Sequence, residues 1–126
     1  MPLDKILIGW TTVDSATAAE KLAAGLVSAR LAACVAVDGP VTSHYWWEGK
    51  QERAEEWRLT VKFPVRRAED VANWLAANHP YSVPQWIAVE ADAVSEAYRD
   101  WVIASAKLSF PSKKSGKTGS FHPKRP

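Results

Sequence analysis

Sulfur is nearly absent from this chain of 126 residues, which has one cysteine, Cys34, and one methionine. A lone thiol closes no intramolecular disulfide and builds no zinc site of several thiolates. Such staples are therefore excluded as the source of the fold, and a reducing compartment fits. Long apolar runs are missing as well. Ile6-Leu7-Ile8 near the start is too short for a signal-peptide core and far short of the ~20 residues of a membrane helix, which predicts a cytoplasmic protein with no membrane partner. An excess of charge is also lacking, since the formal net charge is only +2. It divides unevenly: residues 1–110 hold 11 basic and 14 acidic side chains, whereas residues 111–126 hold five basic ones and no acid. A nucleic-acid footprint needs a basic face on the folded part, so an acidic body speaks against that partner.

A hydrophobic content of 47% with 24% charged residues is that of a globular protein. The expected organisation is one domain over residues 1–110 and a flexible basic tail over 111–126, where Ser, Gly, Pro and Lys replace apolar periodicity. Within the domain, residues 5–12 read as a strand and Asp14 or Ser15 as the cap of a helix over 16–31, with Ala19, Leu22, Ala23 and Leu26 on one face. Residues 32–47 read as a long strand broken by Asp38-Gly39-Pro40, because proline gives no hydrogen to a ladder and glycine tolerates a bulge. A turn over 48–52 follows. Next comes strict alternation, with Trp57, Leu59, Val61 and Phe63 on one side and Arg58, Thr60 and Lys62 on the other. Residues 68–78 carry a second helix, 79–84 an extended connection stiffened by Pro80 and Pro84, and 85–91 a short strand. Ser95 caps a third helix bearing Tyr98, Trp101, Val102 and Leu108.

The order β-α-β-β-α-β followed by a helix defines an α+β, ferredoxin-like domain. Two helices cover one face of a four-stranded sheet and leave the other needing a partner. Seven tryptophans sharpen the need, and consecutive Trp46 and Trp47 point to opposite faces of their strand. Assembly through sheet surfaces or edges is the simplest cover, since large apolar patches are rarely left in water.

Four stretches, taken in order and spacing, resemble the CutA family of divalent-cation tolerance proteins. They are Leu26-Val27-Ser28-Ala29-Arg30-Leu31-Ala32-Ala33-Cys34-Val35, Thr42-Ser43-His44-Tyr45-Trp46-Trp47-Glu48-Gly49-Lys50, His79-Pro80-Tyr81-Ser82-Val83-Pro84, and Ala97-Tyr98-Arg99-Asp100-Trp101. The resemblance implies a homotrimer of ferredoxin-like subunits and a role in tolerance of copper and other divalent cations. It also implies a copper site made by a Cys near the end of the first strand and a His pair before the Pro-Tyr. Here those positions hold Trp10 and Asn78-His79, so His79 alone survives as a metal ligand and binding is at most weak. Gln85 stands where the family commonly has Glu, which removes a charge, and Phe63 stands where a Thr is usual.

His79 therefore reads either as a residual metal contact in an inter-subunit cleft or as a helix-end histidine donating to the last carbonyls. Lys62, Tyr81, Gln85 and Glu48 read either as the lining of such a cleft or as interfacial bonds that fix the trimer. His44, on a strand between exposed-looking neighbours, reads as a surface histidine. Cys34, between Ala33 and Val35, reads as a buried small hydrophobe. No histidine is placed beside it by local sequence, so no nucleophile–base pair supports an enzyme. Besides metal tolerance the architecture suits a sensing or regulatory trimer that holds an anion or metabolite near Lys62 or Arg58.

Overall fold

Strand β1 (Ile6–Val13) is an interior strand of the sheet and is apolar except at Thr11 and Thr12. The structure, a computed structural model, describes residues 5–107; the tail over 111–126, the domain boundary at 110 and Leu108 lie outside the described residues. After β1 come α1 (Ala16–Ser28), β2 (Cys34–Trp47), β3 (Lys50–Pro64), a 3-10 turn (Val65–Arg67), α2 (Ala68–Asn78), β4 (Ile87–Glu90) and α3 (Glu96–Ser105). The sheet order is β2-β3-β1-β4, with every neighbouring pair antiparallel. β1 and β2 thus run parallel with β3 inserted between them, the split βαβ arrangement expected of a ferredoxin-like α+β domain.

One face of this sheet is the core. Leu59, Val61 and Phe63 of β3 meet Ala19, Leu22 and Leu26 of α1 and Val71 and Leu75 of α2, all buried. Two glycines make room for indoles: a Cβ on Gly9 would lie 2.3 Å from the Trp86 ring, and one on Gly25 would lie 2.6 Å from Trp74. Trp86 in turn stacks on Phe63, with ring centroids 5.9 Å apart. Registers place Ile8 beside Val89 and Trp10 beside Ile87 on the opposite face, where Ile87 is 56% and Val89 47% exposed.

Helix α1 ends three residues before the expected limit. Arg30 takes a positive φ of 61°, its N–H bonds Val27 O at 3.0 Å, and Leu31 N–H reaches back to Leu26 O at 3.0 Å. This is a Schellman stop with Arg where Gly is usual, sealed by the buried pair Leu26 and Leu31. The turn between β2 and β3 is also shorter than the expected 48–52. Only Glu48 and Gly49 lie between the strands, both with positive φ (52° and 78°), the requirement of a two-residue hairpin. Polar Gln51 and Glu52 looked like loop residues, but the hairpin tip is solvated and accepts them in a ladder. Likewise β4 covers only Ile87–Glu90, because Pro84 keeps Gln85 out of the pairing.

The Asp38-Gly39-Pro40 break is a bulge. Asp38 pairs with Arg58 and Val41 with Glu56, so Gly39 and Pro40 together oppose Trp57. A Cβ on Gly39 would lie 2.6 Å from the Trp57 ring. Shielding on β3 changes sides here, from odd residues (Leu59, Val61, Phe63) to even ones (Glu56, Ala54, Glu52). On β2 the odd residues are half-buried on both sides of the exposed bulge, Val35 and Val37 before it and Val41, Ser43, Tyr45 and Trp47 after it, since the extra residue absorbs the change.

Candidate functional site

The bulge brings β3 past the core with Glu56 facing inward, at the end of the sheet where β1 finishes in Thr11-Thr12-Val13 and the connection after α2 passes. Glu56 is 1% exposed. Its Oε1 accepts the Ser43 hydroxyl at 2.6 Å and its Oε2 the Tyr81 hydroxyl at 2.8 Å. These are short hydroxyl-to-carboxylate bonds, the strong kind in a water-poor interior. Ser43 sits two positions beyond Val41, the residue paired with Glu56, so both belong to the same side of the hairpin.

His79 stands next to this group. Its backbone N–H closes α2 on Leu75 O at 2.8 Å, after which the chain turns extended. The ring is buried and tilted against Tyr81, with centroids 4.9 Å apart. Tyr81 N–H donates to Nδ1 at 3.1 Å, so Nδ1 is the unprotonated nitrogen and Nε2 carries the hydrogen. Nε2 lies 3.1 Å from Thr12 O and 3.0 Å from Thr11 Oγ1, which share that hydrogen. The side chain thus bonds across to β1 and not to the last carbonyls of its own helix. That duty falls to Asn78, whose Nδ2 donates to Trp74 O at 2.8 Å.

Of the residues singled out from the sequence, the fold brings together His79 and Tyr81. Lys62 lies six residues along β3 from Glu56, roughly 20 Å at strand rise, and pairs with Ile8 and Cys34. Glu48 occupies the hairpin turn, and Gln85 is exposed beside Pro84. Cys34 opens β2 and is half-exposed, not buried, because it is the strand's first residue. His44 is exposed, as expected. Arg58 is held by Asp38 through two bonds, at 3.2 and 2.7 Å. That guanidinium keeps the Asp38 carboxyl below its ordinary pKa, and the carboxylate in turn raises that of Arg58.

Glu56, Ser43, Thr11 and Thr12 were not found by sequence reasoning. Glu55 and Glu56 are adjacent acids in the sequence, and nothing local distinguishes the inward member.

The residues at the family's metal positions do not fit an ion. The indole N–H of Trp10 is a donor only, Asn78 uses its amide on the helix end, and both His79 nitrogens are engaged. Among the described residues, no three His, Cys, Asp or Glu side chains converge on one point.

Sheet order, helices and the tied connection after α2 define a ferredoxin-like α+β domain with an added C-terminal helix. A family model described as CutA1 divalent ion tolerance protein matches residues 7–105, and the chain belongs to that family. The divalent-cation tolerance protein CutA of Archaeoglobus fulgidus is 33% identical over 93 residues, covering 74% of this chain and 90% of that protein. The rice chloroplastic protein CutA 1 is 32% identical over 103 residues, 82% of this chain. The chain spans 58% of the rice protein's length and 56% of an Arabidopsis thaliana chloroplastic CutA. Among solved structures, CutA from Synechococcus elongatus superposes with a TM-score of 0.79 at 35% identity, covering 82% of this chain and 92% of that one. CutA1 from Oryza sativa gives 0.81 at 30%, covering 86% and 100%.

Proposed function

We propose that the protein is a non-enzymatic, homotrimeric divalent-cation tolerance protein whose own contact with copper or a similar ion is at most weak. The observation that carries the reading is the family match across residues 7–105, joined to relatives named for divalent-cation tolerance. Support for assembly comes from the open sheet face: Ile87 and Val89 project beside Trp10 and Ile8, a patch that a partner subunit would shield. Lys62, Gln85 and Glu48 lie apart from Tyr81 within one chain, and in this reading their part is in contacts between subunits. The anion-sensing alternative loses a cationic contact, because Arg58 is paired with Asp38.

Sedimentation equilibrium tests assembly. The expected mass is three times the chain's 13.9 kDa, and Ile87→Asp shifts it toward one. A monomer at all concentrations refutes the trimer. Expression in a copper-sensitive host lacking its own CutA-type protein tests the role: growth in copper is restored, and no restoration by a well-expressed trimer sinks the tolerance reading.

A further inference from the structure

We infer that His79, the one residue left of the family's metal set, is in this chain a structural tie between β1 and the exit of α2 and not a metal ligand. The inference rests on the tolerance reading only in asking where a cation would bind; the geometry stands without it.

An imidazole ligates through a lone pair, and this ring has one, on Nδ1, aimed at Tyr81 N–H 3.1 Å away. A cation at Nδ1 must take that acceptor from a buried backbone donor. A cation at Nε2 must displace the hydrogen shared with Thr12 O and Thr11 Oγ1, leaving those oxygens facing a ring that no longer donates. Each buried group so stripped weakens binding by about 5- to 150-fold. No neighbouring ligand offsets the loss, because Trp10 offers only a donor and Asn78 is turned to the helix end.

What the ring does instead follows from the same bonds. It joins residues 68 positions apart, Thr11 and His79, and its Nδ1 fixes the Tyr81 backbone so that the hydroxyl meets Glu56. Three segments distant in sequence, the end of β1, the hairpin and the connection after α2, are closed onto one another by a neutral His79 and the Tyr81 it orients.

The test uses the full chain labelled with ¹⁵N-histidine. Long-range ¹H–¹⁵N spectra should show His79 as the Nε2–H tautomer and unmoved by Zn²⁺, while exposed His44 responds. Saturable zinc-induced shifts at either His79 nitrogen overturn the inference. In parallel, copper titration of His79→Asn should give an affinity within about twofold of the parent, and a loss of tenfold or more overturns it. Asn offers an oxygen where Nδ1 stood, so hydrogen exchange at the Tyr81 amide should stay slower in His79→Asn than in His79→Ala. Equal exchange in both variants overturns the tie. The spectra need no variant, so a misfolded His79→Ala leaves the inference testable. A trimer that binds no metal anywhere supports the tie while removing the weak-binding part of the proposed function.

Discussion

Tyr81→Phe removes one oxygen and keeps the ring that packs against His79. The lost interaction is a hydroxyl donating at 2.8 Å to a carboxylate, with both residues at most 3% exposed. Hydrogen bonds to charged groups contribute about 1.5–3 kcal/mol, and the retained ring opens almost no cavity, so the expected loss is about 2 kcal/mol. For a domain of this size that lowers the melting temperature by about 8–16 °C. The assay is urea unfolding and thermal melting at a fixed protomer concentration, since assembly shifts apparent stability by mass action. A double-mutant cycle with Glu56→Gln isolates the pair: against a neutral acceptor the same change should cost about 1 kcal/mol. A loss below about 0.5 kcal/mol for Tyr81→Phe, or equal losses in the two backgrounds, would refute the claim that this bond fastens the loop to the hairpin.

Gly9→Ala drives a Cβ into the Trp86 ring 2.3 Å away and must shift the stack on Phe63; denaturant unfolding should register about 1–3 kcal/mol, with altered Trp86 fluorescence. Ser15→Ala deletes the hydroxyl that accepts Ala18 N–H at 3.0 Å and should cost about 1 kcal/mol by the same measurement. Asp38→Asn breaks the bidentate pair with Arg58. Because the folded state holds the Asp38 pKa down, its contribution is present above the ordinary carboxylate range and fades as pH falls through the depressed value. Parent and variant should differ slightly at pH 7, and their stability curves should converge below pH 3.8.

The alternation of Leu59, Val61 and Phe63 and the helical spacing of Leu22 and Leu26 were readable because each element buries one face, and burial imposes its period on the sequence. Asp38-Gly39-Pro40 was readable as a break because Gly and Pro alter the backbone itself. The end of α1 was not, because Arg30 takes a conformation that Gly would have announced. The hairpin turn was overextended because solvated strand tips tolerate Gln51 and Glu52. Within the site, Tyr81 and His79 stood out through the family resemblance, yet the role of His79 depended on which side chains lay across from it. Glu56 stayed hidden for a related reason: its inward turn follows from a residue inserted in the neighbouring strand, and its donors, Ser43 and Tyr81, come from elsewhere in the chain.

The central place of β1 also has a consequence for the order of events in synthesis. Trp10 waits for Thr60 on one side and for Ile87, about 80 residues later, on the other. At ribosomal rates of about 5–20 residues per second, that second edge stays unpaired for roughly 4–15 s after β1 is made. The β2–β3 hairpin, closed by a two-residue turn, needs no such wait and forms locally. During translation β1 is therefore an apolar strand whose second edge has no partner until β4 is made. That interval, before Ile87–Glu90 arrives, is when the chain is most exposed to pairing with a neighbour on the same messenger.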